Sequence, residues 1–423
     1  MIRAANVSLP SPLLGRGERG ETRGFAALRI ETMTLIYLVC FAVLSIGNAE
    51  WLVAVMNRVH ALPLSFKLLG SLRVVHDVLM FGFPIGLLIG LGFVAPGVFV
   101  VDVPLATTWR LLPLPVQAYF GLCGLGFVGF SVCVARHWLA RTPRQQVRFQ
   151  SRVIDLAAEL GRDPVGNGPF QSMLRVPGNE CFRVEFNERT LLCQQLPRAW
   201  DGLRVLHLSD LHFIGTLDLP FFERLVEHAK SWQFDVAVFT GDLIDDMRFL
   251  PWISQTLGRI QAPLGNFFFL GNHDWNLDAI AIRAEMTTAG WIDLGSRCEV
   301  LSRDGQELVF GGSEVPWLGT QPDFELANSA GFRILLSHSP DNLSWARQRG
   351  VGLMLSGHNH GGQIVLPGIG PVYSPSNTGC RYAGGLFWES PTMLFVSRGV
   401  SGRHPLRIRC RPEVTLLELR SVN

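Results

Sequence analysis

Three apolar runs before residue 140 constrain this chain more than anything else in it. They cover about residues 33–56 (MTLIYLVCFAVLSIGNAEWLVAVM), 78–101 and 116–135. At about 1.5 Å per helical residue, each reaches across a hydrocarbon core of about 30 Å. Apolar runs of about 10–14 residues suit buried helices of soluble domains, and these are longer, so they predict three membrane-spanning helices and a lipid bilayer as partner. The second run spaces Gly82, Gly86 and Gly90 four apart, which offers a close-approach face to another helix, while Asn48 and Glu50 interrupt the first. A cleaved leader fits poorly. The first run starts only at Met33, exceeds the usual h-region, lacks a small-residue cleavage site and is followed by further spans.

Flanking charge bears on orientation. Arg3, Arg16, Arg19, Arg23 and Arg29 precede the first run, and Arg136, Arg141, Arg144, Arg148 and Arg152 follow the third. With three spans these clusters lie on opposite sides. Arg58, Lys67 and Arg73 in the first loop outweigh Arg110 in the second, which tips the count toward a multi-pass protein with a cytoplasmic C-terminal region.

The whole chain has 423 residues, 48% hydrophobic and 17% charged, with a mean hydropathy of +0.24. These values exclude disordered and collagen-like classes. A net charge of +2 gives no general affinity for nucleic acid, so no such partner is expected. The eight cysteines lack any CxxC pair and read as small buried hydrophobes rather than a disulfide framework or thiolate metal site. The expected organisation is an N-terminal tail over 1–32, a helical membrane region over 33–140, a polar linker over 141–180 with one short helix near Arg152–Leu160, and an α/β domain over 181–423. In that last part short β-branched runs (FRVEF, LRVLHL, DVAVF, NFFFL, LVF, FRILL, GLML, VTLLEL) alternate with helical patterns and end in polar residues.

Five of those strand ends carry metal-ligand residue types: Asp210 and His212, Asp242, Asn272 with His273 and Asp274, His338, and His358 with His360. Asp210 and His212 sit two apart, as do His358 and His360, so extended backbone would send each pair off one face. Oxygen and imidazole donors without thiolate suit Mn²⁺, Fe or Zn²⁺. That many donors are too many for one ion. Two ions about 4 Å apart fit the count, with Asp242 as the shared carboxylate.

In its order DxH, GD, GNHD, H and GHxH, the C-terminal region from about residue 182 resembles the calcineurin-like metallophosphoesterase superfamily. The resemblance implies a four-layer β-sandwich flanked by helices and a dimetal phosphohydrolase, with Mn²⁺ as the foremost metal. By the same resemblance Asp210, His212 and His360 hold one metal, Asn272, His338 and His358 the other, and Asp242 both. His273 is then not a ligand but faces the phosphate as proton donor or charge stabiliser, oriented by Asp245. Water between two such cations loses its proton near neutral pH and attacks phosphorus in line.

GDLIDDM lacks the GDxxDRG pattern of protein Ser/Thr phosphatases, and Asp245 stands where purple acid phosphatases place a tyrosine ligand. SDLHF, TGDLID, GHxHGGQI and VSRG resemble a bacterial membrane-associated branch that includes the UDP-2,3-diacylglucosamine pyrophosphatase of lipid A synthesis, with Asn359 replacing the usual threonine. A lipid-linked phosphate ester or pyrophosphate is therefore an expected substrate, with Arg398 and Arg381 as candidate ligands for a second phosphate. Val315–Leu318 and Leu386–Trp388 are apolar stretches that either hold acyl chains or belong to the core. A phosphodiesterase acting on soluble substrates, or a receptor or transporter with a regulatory phosphoesterase-like domain, are the alternatives.

Overall fold

The computed structural model describes residues 16–90, 105–325 and 331–422. Four helices come first: α1 (Arg16–His60), α2 (Phe66–Gly90), α3 (Leu105–Leu111) and α4 (Leu114–Leu139). Three stretches, Leu35–His60, Lys67–Gly90 and Leu114–Leu139, are long and apolar enough to cross a membrane. The helix of α1 extends back to Arg16, through much of the segment expected as a tail. The second span starts at Lys67, well before residue 78, since α2 runs unbroken through His76 and Asp77, whose side chains lie 2.9 Å apart. The expected continuation of that span over residues 91–101 lies outside the described residues.

The chain divides into two compact units. One comprises α1 up to Leu52 together with Val75–Ser131, the other Val53–Val74 together with the chain from Val132 onward. Within the first unit the close helix contact falls at an unexpected place. Among the described residues a Cβ on Gly82, Gly86 or Gly90 would meet nothing within 4 Å, whereas one on Gly47 would lie 1.7 Å from the Cys123 carbonyl oxygen, and one on Gly126 would lie 2.3 Å from that of Gly47. The glycines of α1 and α4, not those of α2, let backbones touch. Two side chains bond across this crossing: Trp51 Nε1 donates to the Leu122 carbonyl at 2.7 Å, and the Tyr119 hydroxyl donates to Asn48 Oδ1 at 2.6 Å. Asn48, which interrupts the first run in the sequence, thereby becomes part of the helix pairing.

The second unit contains two large sheets. The first holds seven strands in the order β1-β2-β15-β3-β4-β5-β6: β1 (Gln146–Asp155), β2 (Arg183–Cys193), β3 (Leu203–Leu208), β4 (Val236–Thr240), β5 (Asn266–Phe269), β6 (Ile292–Asp293) and β15 (Glu413–Ser421). The second holds six in the order β13-β14-β10-β9-β8-β7: β7 (Cys298–Arg303), β8 (Gln306–Ser313), β9 (Phe332–Ser337), β10 (Leu353–Ser356), β13 (Gly385–Glu389) and β14 (Thr392–Val396). A small hairpin, β11 (Val365–Leu366) with β12 (Gly370–Pro371), stands apart from both.

Alternation along the strands builds three apolar layers. Val205, Val238, Phe267 and Phe269 face Phe310, Ile334, Leu336, Leu355 and Phe395 between the sheets. Their neighbours Leu206, Phe239 and Phe268 pack outward against the helix Leu219–Lys230. On the far side Val309, Leu335, Met354 and Leu394 meet the helix Leu343–Gln348. The result is the expected helix–sheet–sheet–helix sandwich.

One expectation fails. Residues 141–180 do not form a simple linker, because β1 pairs antiparallel with β2 from Gln146↔Leu191 to Asp155↔Arg183. Its sequence does alternate, with Val147, Phe149 and Val153 on one face, but only three apolar side chains carry the pattern, and as an edge strand it leaves all three exposed. The short helix follows it at Leu156–Leu160, capped by Asp155, whose carboxylate accepts from the Ala158 N–H at 3.1 Å.

Candidate metal centre

All five ligand-bearing segments follow the C-terminal ends of neighbouring parallel strands, β3-β4-β5 in one sheet and β9-β10 in the other, the place where open α/β sheets collect ligands. The backbone there is not extended. Asp210, His212, Asp242, His358 and His360 all have positive φ, between 45° and 69°. Non-glycine residues in that region cost of order 1–3 kcal/mol each and persist where surrounding structure enforces them. The paired side chains of DxH and GHxH are thus aimed by left-handed turns rather than by strand alternation. His358 and His360 consequently part company and join different clusters.

One cluster gathers Asp210, His212, Asp242 and His360, a second Asp242, His338 and His358, and a third, outside the expected ligand set, His212, Asp245 and His273, each with donor atoms within 4.8 Å of one another. Asp242 belongs to the first two. Asn272 Oδ1 lies 3.0 Å from His338 Nε2, which places it beside the second cluster. Every expected ligand therefore reaches the site. Asp242 Oδ2 has His338 Nε2 at 3.2 Å and His212 Nε2 at 3.5 Å, yet it and His212 Nε2 are buried without a hydrogen-bond partner. Donors about 2.1 Å from one cation in tetrahedral array stand about 3.4 Å apart. Buried, unpartnered donors at that spacing fit a pair of cations well.

The far side of three of the four rings meets an oxygen. Asp245 Oδ2 faces His212 Nδ1 at 2.9 Å, the Thr240 carbonyl faces His338 Nδ1 at 2.7 Å, and the Pro375 carbonyl faces His358 Nε2 at 2.8 Å. These contacts leave the opposite nitrogen for a cation and fix the tautomer. Burial holds the His358 imidazole well below its ordinary value and so favours the neutral form that a ligand needs. Gly271 is needed for closeness: a Cβ there would stand 2.2 Å from Asp242 Oδ1. Asp274, wholly buried, accepts the backbone N–H groups of Leu243, Ile244 and Gly271 and so locks the GD loop to the GNHD loop.

His273 sits at the rim with its Nδ1 on Asp245 Oδ1 at 2.5 Å, and its backbone N–H donates to Asp242 Oδ1 at 2.9 Å. Burial opposes its protonated form, but the Asp245 and Asp242 carboxylates outweigh burial and raise it to about 9. Asp245 thus serves two histidines, a double role that the sequence did not reveal. Arg403 also approaches Asp245, at 3.3 Å, and the buried Arg407 ties the His360 carbonyl to that of Arg398. Neither belongs to a recognisable motif. Asn359 turns away from the site as expected, its Nδ2 donating to the Tyr382 carbonyl.

The candidate phosphate-binding arginines are otherwise engaged. Arg398 Nη2 lies 2.6 Å from Glu185 and 2.8 Å from Glu413, and Arg381 Nη2 lies 2.6 Å from Glu389. Arg398 is a structural tie between β2, β15 and the VSRG turn. Arg398→Met is expected to lower folding stability by about 3 kcal/mol while leaving KM unchanged, read by thermal denaturation beside steady-state kinetics. Of the apolar stretches, Leu386 and Trp388 pack into the core between the sheets. Trp317 alone reaches the site, its ring 5.0 Å from His358 and 5.7 Å from His338.

The sequence profile of the calcineurin-like phosphoesterases matches residues 203–362, from β3 through the GHxHGG turn. A Bacillus subtilis protein described as the uncharacterized metallophosphoesterase YkuE is 32% identical over 254 residues, which cover 58% of this chain and 88% of its own. The chain belongs to the calcineurin-like phosphoesterase family. Among its relatives in that family, the Escherichia coli phosphodiesterase YaeI is 29% identical over 223 residues, 51% of this chain and 82% of its own. A zebrafish protein described as a transmembrane protein with metallophosphoesterase domain is 29% identical over 248 residues, 54% of this chain and 55% of its own. As a calcineurin-like phosphoesterase with the clusters described above, the protein is a metal-dependent phosphoester hydrolase of the dimetal type.

Proposed function

We propose that this chain is a membrane-anchored phosphodiesterase or pyrophosphatase that acts at the cytoplasmic bilayer surface on a lipid-linked phosphate. The observation that carries the hydrolytic reading is Asp242, one carboxylate shared by two clusters and left with a buried oxygen that no hydrogen bond satisfies. Asp210, His212 and His360 would hold one cation and Asn272, His338 and His358 the other. Mn²⁺ is the favoured metal, with Fe and Zn²⁺ the alternatives for an oxygen and imidazole set. Bound there, the ions would supply an activated water and neutralise the nonbridging phosphate oxygens. His273, its Nδ1 fixed by Asp245, presents Nε2 as the proton donor to the departing oxygen. The names of the E. coli and zebrafish relatives, a phosphodiesterase and a transmembrane protein, agree with this reading.

The lipid-linked substrate is supported by the three apolar helices, since tethering raises the effective concentration of a site toward amphipathic molecules in the same bilayer. The test is mass spectrometry of products after incubating detergent-solubilised protein and Mn²⁺ with UDP-2,3-diacylglucosamine, with bis-p-nitrophenyl phosphate as control. UMP plus a lipid monophosphate is the expected result. Cleavage of the control alone would remove the lipid-linked substrate and leave a phosphodiesterase for soluble esters. A C-terminal reporter active only outside the cytoplasm would remove the proposed orientation.

A further inference from the structure

Between the GHxH turn and β13 the chain makes an excursion over residues 363–382 that belongs to no sheet except its own small hairpin. It meets the side chain of a candidate ligand at the Pro375 carbonyl, 2.8 Å from His358 Nε2. Two anchors fix that carbonyl. On one side Asp341, three residues after the ligand His338, accepts the Ser376 hydroxyl at 2.6 Å and the Asn377 N–H at 2.9 Å. On the other side the ends of the apolar helices, which belong to the same compact unit, take hold of the strap. Asn57 of α1, 3% exposed, accepts the N–H of the wholly buried Ser374 at 3.2 Å. The His60 ring packs edge-on to Tyr373 at 5.9 Å. From α4, Trp138 Nε1 donates to the Gly368 carbonyl at 2.6 Å.

We propose that the membrane-proximal helix ends are part of the metal centre rather than a tether for it, with Asn57 as a positioning residue that holds Ser374 and Pro375, and through Pro375 the His358 imidazole. A polar side chain at the end of an apolar helix ordinarily seeks water or headgroups. Here it is buried against a backbone N–H one residue from the group that orients a ligand. Partners that orient a metal-bound imidazole typically contribute 10–100-fold in affinity. The second cluster depends on this strap, whereas Asp210, His212 and His360 of the first do not touch its Pro375 contact. The inference rests on the dimetal reading above.

The test is metal analysis of the full-length protein in detergent after equilibration against graded free Mn²⁺, combined with hydrogen exchange at the Ser374–Gly379 amides. The wild type is expected to hold two cations per chain. Asn57→Leu is expected to keep the tighter one, to bind the other about 10-fold more weakly, and to exchange faster at Ser374. Trp138→Phe, which keeps the ring but loses the donor, is expected to shift the weaker cation in the same direction, and it serves where Asn57→Leu fails to fold. Unchanged affinity for both cations in a variant whose Ser374 amide exchanges faster would overturn the coupling. Fewer than two cations in the wild type would instead overturn the dimetal reading itself, and the coupling with it.

Discussion

Replacing Asp242 with asparagine is expected to reduce ester hydrolysis by at least about 10³-fold, about 4 kcal/mol of barrier, and to leave fewer than two tightly held cations per chain. The substitution keeps the volume and the oxygen that accepts the His273 N–H. It replaces Oδ2 by an amide nitrogen, which has no lone pair for a cation and brings a donor against His338 Nε2 and His212 Nε2, 3.2 and 3.5 Å from the present oxygen. Because this carboxylate belongs to both clusters, its loss falls on both ions at once. Losing Asn272 or His360 would fall on one. Turnover of bis-p-nitrophenyl phosphate and metal content, measured on the same sample, check the expectation, with circular dichroism to confirm that the sandwich has folded. Hydrolysis persisting near the wild-type rate would exclude the shared-carboxylate mechanism.

The candidate ligands stand out in the sequence because each follows a short buried strand, and VAVFT and NFFF are wholly buried on both faces. What positions the ligands was not legible. A left-handed turn at Asp210 or His358 looks in sequence like any polar residue after a strand, and only the packing of two sheets decides which cluster each side chain enters. Long-range partners were hidden for the same reason. Arg398 stands two residues after β14, beside a motif that invites a substrate role, while its partner Glu185 lies 213 positions earlier. Strand β1 carries only a weak period-two signal, Val147, Phe149 and Val153 among charged and polar residues, and as an edge strand it leaves even those exposed. The Gly82, Gly86 and Gly90 stripe misled in the opposite direction, since regular spacing announces a possible contact but not a neighbour. Asn57 gave no signal at all. Its partner is a backbone N–H 317 residues away, and backbone groups have no identity in a sequence.

His273→Ala is expected to lower kcat by about 10² or more while both cations remain bound. The structural reason for the split is that the His273 backbone N–H, which donates to Asp242 Oδ1, survives the substitution. Its ring is bound instead to Asp245, which would still hold His212 through the other carboxylate oxygen. The size of the loss should depend on what departs. A p-nitrophenolate leaves without needing a proton, so bis-p-nitrophenyl phosphate should lose less than a substrate whose leaving oxygen is an alkoxide, where the donor carries the full burden of charge neutralisation. An equal loss with both leaving groups would assign His273 to stabilising the nonbridging oxygens instead. Loss of a cation in this variant would remove it from the catalytic residues and make it a ligand, contrary to a geometry in which Asp245 occupies its Nδ1 and its Nε2 stands 4.0 Å from Asp242.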